Sequence, residues 1–263
     1  ARNTPGRHRV GPSQPSGHIP TELRNHVKED STAEGFQISA HSGTNGDFHV
    51  LLGGHDLRGL LYAVGRLLRE LRTSRDRVKL PEDFSAHTSP AQKLRGHQLG
   101  YRPKTNAYDA WNTDTWDQYM RDLVLFGCNA IELIPPKSDD DADSPHFPKP
   151  PADMLTIMSA IADSYGLDVW MWFPAMETDY ADPTTIRDEL RDSANIFASM
   201  PRLDAVFVPG GDPGHTAPSI LLDFLKQQAA SLKEHHPNAG LWVSPQGFDA
   251  TGVDEFYDYL NRQ

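Results

Sequence analysis

The sequence predicts an α/β protein: a small α+β unit followed by about five consecutive βα units of a (β/α)8 (TIM) barrel. Three observations predict it. After Ser89-Pro90, short apolar runs alternate with helical segments to the end of the chain. Those runs are nearly continuous in apolar residues, the pattern of parallel strands covered by helices. The segment after the first of them is long, polar and aromatic, where a nucleotide-binding doubly wound sheet would carry a glycine fingerprint.

Residues 1–33 mix Pro, Gly, His and Arg with little apolar periodicity and read as a flexible N-terminal arm. Residues 34–90 read as the small α+β domain. Gly35–Ala40 alternates, Ser42–Gly46 supplies turn formers around an Asn-Gly pair, and Phe48–Leu52 follows, which predicts a β-hairpin. Asp56 then caps a helix over 56–72. In it Leu57, Leu60, Leu61, Val64, Leu67, Leu68 and Leu71 recur at three- and four-residue spacing, with Arg66, Arg69 and Arg72 on the other face. Val78–Leu80 predicts one more short strand.

Residues 91–263 read as the partial barrel and the catalytic domain. The predicted strands are His97–Tyr101, Ala130–Ile134, Leu167–Phe173, Ala205–Val208 and Leu241–Ser244. The predicted helices are Asp114–Phe126, Ala152–Tyr165, Pro183–Met200, Pro218–His235 and Asp254–Leu260. Gly127, Gly166 and Gly240 each precede a strand, and Asp182-Pro183 pairs a cap with a proline in the first turn. Five units leave a closed barrel three short, so further strands beyond Gln263 are expected in the native polypeptide.

Composition narrows the function classes. The chain has 263 residues, one cysteine (Cys128) and a net charge of −11. One cysteine excludes an internal disulfide framework, and the negative charge argues against a nucleic-acid partner. No run approaches the ~20 apolar residues of a membrane-spanning helix. No cofactor and no metal is expected.

Strand C-terminal ends are where barrels keep their chemistry. The first strand offers Arg95, His97, Gln98 and Tyr101, then Asn106, Tyr108 and Trp111. The second offers Glu132, then the acidic run Asp139–Asp143 and His146. The third runs from Trp170 and Trp172 into Glu177 and Asp179. The fourth ends in Gly210-Gly211-Asp212-Pro213-Gly214-His215, and the fifth in Ser244-Pro245-Gln246. Carboxylates and aromatic rings at strand ends suit glycosidic-bond cleavage, which needs a proton donor and a group facing an oxocarbenium-like charge. Two glycines before Asp212 and Pro-Gly after it describe a tight turn that aims one side chain.

Several of these residues also have a structural reading. Glu132 reads equally as a hydrogen-bonded strand acid, and Trp170 and Trp172 as core. The Asp139–Asp143 run lacks the glycine and terminal glutamate of a calcium loop and reads as solvated. His235-His236 reads as surface.

The segment Phe207–Asp212 resembles the Gly-Gly-Asp-Glu strand end of β-N-acetylhexosaminidases. In that family the Asp orients the substrate's acetamido group and the following Glu is the general acid; here that position is Pro213. Asp212-Pro213-Gly214-His215 is similar to the Gln-Pro-Gly-Pro after the catalytic Glu of microbial α-glucuronidases, with Gly210 where their Glu would stand. Gly53–Val64 is similar to the end of the small α/β domain that precedes the barrel in both groups. Leu94-Arg95-Gly96 resembles their Arg-Gly lead-in to the first barrel strand, where the hexosaminidase arginine contacts substrate. Phe126–Glu132 resembles their second strand with its preceding asparagine.

The resemblance covers about residues 34–247 and implies a glycosidase built on a small α/β domain and a TIM barrel. Asp212 and Glu177, which end segments of one barrel face, are the expected catalytic carboxylates, with Arg95, Tyr101, Trp111, His215 and Glu132 shaping the sugar site for a carbohydrate substrate. Polysaccharide degradation by a secreted or periplasmic protein fits that reading. The missing acid at Pro213 supports a second one, a carbohydrate-binding or inactive relative. A metal-dependent hydrolase using His97, His215, Asp212 and Glu177 is a third, disfavoured because no His-x-His spacing is present.

Overall fold

The computed structural model describes residues 32–42, 48–81, 83–100, 110–134, 137, 148–213 and 216–262. The expected arm up to residue 31, most of the hairpin turn, Tyr101, Asn106, Tyr108, the Asp139–Asp143 run, His146 and His215 lie outside the described residues. The chain divides into two compact units, Ala1–Lys93 and Leu94–Gln263.

In the first unit β1 (Phe36–Ser42) and β2 (Phe48–Gly54) pair antiparallel, with Ala40 opposite Val50. Helix α1 (Leu57–Glu70) follows, capped by Asp56, whose Oδ1 accepts the Gly59 N–H at 2.8 Å. Asp56 Oδ2 also accepts the Glu34 N–H, so one side chain ties the helix start to the chain before β1. β3 (Arg72–Ser74) and β4 (Arg77–Lys79) form a separate ribbon, and β5 (Ser85–Thr88) pairs with the free edge of β1.

Two expectations change here. β5 was not predicted, because Ser-Ala-His-Thr has no apolar alternation and owes its strand form to the edge of β1. The buried face of α1 is also not its leucine stripe. Gly59, Tyr62, Ala63 and Gly65 are buried, while Leu57 and Leu68 are 56% and 52% exposed. A Cβ on Gly59 would lie 2.3 Å from the Gly35 carbonyl oxygen, so small residues set the close approach of this helix.

The second unit is a sheet of five parallel strands: β6 (Gly96–Gln98), β7 (Ala130–Leu133), β8 (Asp168–Trp172), β9 (Ala205–Pro209) and β10 (Gly240–Ser244). The helices between and after them are α2 (Thr113–Leu125), α3 (Pro151–Ser164), α4 (Pro183–Ser199), α5 (Pro218–His235) and α6 (Ala250–Asn261). Spatial strand order equals chain order, and each helix packs against the next. A doubly wound sheet reverses strand order and splits its helices between two faces. This sheet does neither. It is a partial, TIM-barrel-like arrangement. Helix α6 begins four residues before the predicted Asp254; Asp249 caps it by accepting the Gly252 N–H at 2.8 Å.

Side chains alternate between the two faces of the sheet. Ile131, Leu133, Val169, Met171, Val206 and Val208 share one face and are 0% exposed, and the helices bury Trp116, Met120, Met158 and Phe197. Each such side chain contributes about 1.5–3 kcal/mol by leaving water. The other face carries Glu132, Trp170, Phe207 and Trp242, half-buried or open, with Trp242 57% exposed. No described helix is long and apolar enough to cross a membrane.

Candidate functional site

Parallel strands bring the loops after β7, β8, β9 and β10 to one end of the sheet. The loop after β9 is the most tightly built. Gly210 N–H donates to the Ser244 carbonyl at 3.0 Å and Gly211 N–H to the Gln246 carbonyl at 2.7 Å, so the β9 turn lies against the β10 turn. A Cβ on Gly211 would stand 2.3 Å from the Phe248 nitrogen, and one on Gly210 would stand 2.7 Å from the Ser244 oxygen. Gly247, at φ +83°, meets Gly211 from the other side. Only glycine lets two turns touch in this way. The product is a held carboxylate: Asp212 N–H donates to the Pro209 carbonyl, and Gln246 Nε2 donates to Asp212 Oδ2 at 3.2 Å.

Glu177 lies on the loop after β8. Its N–H donates to the Tyr180 hydroxyl at 3.3 Å. Tyr180 is buried against Phe224, with ring centroids 4.6 Å apart, and burial pushes its hydroxyl well above the ordinary tyrosine range. The Glu177 carboxylate is 3.9 Å from Lys137 Nζ, on the loop after β7. Lys137 also reaches Glu189 Oε1 at 2.5 Å and Asp192 Oδ2 at 3.6 Å, both on α4. Burial raises the Glu189 carboxyl above its ordinary value, opposed by Lys137. Burial alone would lower the Lys137 ammonium, but the Glu189 bond and the surrounding carboxylates leave it raised. Beside this cluster, Gln228 Oε1 is buried with no hydrogen-bond partner among the described residues, in a pocket also lined by Tyr180 and Glu189.

The remaining expected site residues fall in different places. Glu132 sits inside β7, in register with Gln98 and Trp170, and Gln98 Nε2 is 3.5 Å from its Oε1. Burial raises its carboxyl above the ordinary value, and the Gln98 bond opposes this. Glu132 is the penultimate residue of β7, on the half-open face of the sheet, in register through Trp170 with Ala205. Trp111 precedes α2 and packs edge-on against Trp116 and Tyr119, with centroids 5.2 and 5.4 Å apart. Tyr119 in turn hydrogen-bonds His97 Nδ1.

Arg95 corrects an expectation. It precedes β6, at the end of the sheet opposite Asp212, and its Nε donates to the Gly127 carbonyl at 2.8 Å. Its backbone N–H donates to Asn129 Oδ1, and the Asn129 N–H donates back to the Arg95 carbonyl. Arginine and asparagine thus strap β6 to β7 at their starts. His236 is a second correction: it is half-buried, with Nε2 2.8 Å from the Phe197 carbonyl oxygen, tying the end of α5 to α4. Trp172 is core, whereas Trp170 is half-buried and stacks on Trp242 with centroids 5.7 Å apart. Lys137, Glu189 and Tyr180 were missed by sequence reading, since no motif marks them.

No protein-family model matches the chain, and no curated protein matches it significantly. Solved structures do. The fold is similar to that of CpGH84B, with a TM-score of 0.61 and 14% identity, over 90% of this chain and 42% of that one. It is also similar to the GH20 exo-β-N-acetylglucosaminidase from Vibrio harveyi in complex with N-acetylglucosamine, with a TM-score of 0.55 and 11% identity, over 80% of this chain and 44% of that one. The chain therefore spans less than half the length of these glycoside hydrolases. The likeness is one of fold: a glycosidase-like α/β architecture.

Proposed function

We propose that the chain carries a glycosidase site at the C-terminal ends of its parallel strands and hydrolyses glycosidic bonds in an oligo- or polysaccharide. The observation that carries this reading is the held carboxylate of Asp212, aimed by the Gly210-Gly211 turn and by Gln246 in a fold shared with glycoside hydrolases. The five strands are read as an arc of a (β/α)8 barrel of the β-N-acetylhexosaminidase/α-glucuronidase-like type. Asp212 and Glu177, at the ends of neighbouring strands, are its carboxylates. One donates a proton to the leaving oxygen while the other supports the positive charge at the anomeric carbon; water supplies the oxygen that replaces the broken bond. Trp111, Tyr101 and His215 are read as flanking the sugar. Polysaccharide breakdown by a secreted or periplasmic protein is the setting this reading implies.

Pro213 favours one second reading. It stands where the hexosaminidase acid follows the Asp, so a carbohydrate-binding relative without hydrolysis would keep Asp212 as a ligand for hydroxyl or amide groups. The test is a panel of chromogenic glycosides and polysaccharides, beginning with N-acetylhexosaminides and glucuronides. Reducing-end release that vanishes in Asp212→Asn supports hydrolysis. Saturable binding with no release supports the second reading, and neither binding nor release would sink both.

A further inference from the structure

We propose that Lys137, anchored by the buried Glu189, is the positioning residue for Glu177. This rests on reading Glu177 as a carboxylate of the proposed site. Three carboxylates surround one ammonium, but they are not equivalent. The Glu189 side chain is 7% exposed and lies 2.5 Å from Lys137 Nζ, whereas Glu177 and Asp192 are 46% and 42% exposed at 3.9 and 3.6 Å.

The buried partner decides where the lysine sits. A desolvated carboxylate is costly to leave unpaired, so Glu189 keeps Nζ close while the two rim acids meet the ammonium face that remains. A lysine alone would roam, because its four-carbon stem is flexible and its ammonium is a point charge with no fixed geometry. Anchored, it presents a fixed positive charge to Glu177 from a different strand end.

The backbone of Glu177 is held independently. Its N–H donates to Tyr180, whose ring is buried against Phe224. The peptide thus rests on Tyr180 and the carboxylate on Glu189–Lys137, two different groups that line one pocket. That division separates positioning from simple folding. Lys137→Met should free the Glu177 side chain while the hydrogen bond to Tyr180 still ties its peptide.

The experiment labels carboxylates of the full chain with a water-soluble carbodiimide and glycine ethyl ester, followed by peptide mass spectrometry. The ammonium beside Glu177 repels the cationic reagent and occupies the carboxylate. In Lys137→Met, Glu177 labelling should rise about threefold or more, the size expected of a partly exposed ion pair. Lys137→Arg should restore the slow rate, and Glu189→Gln should move it in the same direction as Lys137→Met. Asp179 and Asp182, on the same loop, should keep their rates; if they rise in parallel, the effect is loss of structure and the proposal fails. Unchanged Glu177 labelling in both Lys137→Met and Glu189→Gln, with native circular dichroism, overturns it as well.

Activity is a separate arm. If the chain hydrolyses a glycoside, Lys137→Met should lower kcat about tenfold with KM within about twofold, and Lys137→Arg should recover most of the loss. Labelling that behaves as expected in a chain without glycosidase activity would refute the proposed function and leave the positioning role standing.

Discussion

Gln246 Nε2 donates to Asp212 Oδ2 across 3.2 Å and joins the turn after β9 to the turn after β10. The pair depends on main-chain contact below it, because Gly211 N–H reaches the Gln246 carbonyl at 2.7 Å. Backbone and side chain of one residue therefore hold both the turn and the carboxylate that the turn presents. A carboxylate fixed in this way can meet a substrate without first losing its own rotamer freedom.

The glycine contact is the first thing to test. Gly211→Ala would drive a methyl group to within 2.3 Å of the Phe248 nitrogen, a backbone atom that cannot swing aside. A loss of about 1–3 kcal/mol in urea unfolding is expected. An unchanged midpoint would show that the two turns separate easily.

Asp212→Asn keeps the size of the side chain and removes its charge. Hydrolysis of the true substrate should fall by about 10² or more, as for loss of a general acid–base group. Activity surviving within about threefold, a barrier change under ~1 kcal/mol, would remove Asp212 from the chemistry.

Glu132 makes stability depend on pH in a stated direction. Burial raises its carboxyl above the ordinary 4.5, so between that value and the folded one the native state binds more protons than the unfolded chain. Stability is then lost as pH rises through this window. Glu132→Gln has no such loss. Urea unfolding should show the variant gaining on the parent as pH rises above the ordinary carboxylate value; a constant gap would contradict the raised carboxyl.

Arg95 should behave as a structural residue. Arg95→Ala removes the Nε bond to the Gly127 carbonyl and should cost about 1–2 kcal/mol. For any glycoside the protein hydrolyses, KM should stay within about twofold of the parent. A KM rise of about tenfold with unchanged stability would return Arg95 to the sugar site.

Much of the architecture was legible before any coordinates. Strands β7 to β10 and helices α2 to α5 lie within a residue or so of their predicted bounds, because hydrophobic period and capping act within a few residues of sequence. Asp56 and Asp182 announce their helices, and their side chains accept the N–H groups of Gly59 and Thr185. The turn that carries Asp212 was legible for the same reason, since Gly-Gly before an acid is a local backbone signal.

Contacts between distant segments were not legible. No period in α1 says that Gly59 and Ala63 rather than Leu57 and Leu68 are buried; that depends on the Gly35 carbonyl, which the segment before β1 brings against Gly59. Arg95 looked like a site residue beside its glycine, but a parallel strand has two ends, and register with Asn129 puts it at the far one. Lys137 and Glu189 are 52 residues apart and mean nothing singly. Sequence alone determined the strands β7 to β10, the helices and the turn that offers a carboxylate, because those depend on neighbouring residues, whereas β5 needed the edge of β1. Tertiary structure decided which charges meet and which end of the sheet each occupies, because burial and ion pairing depend on groups that only the folded chain brings together.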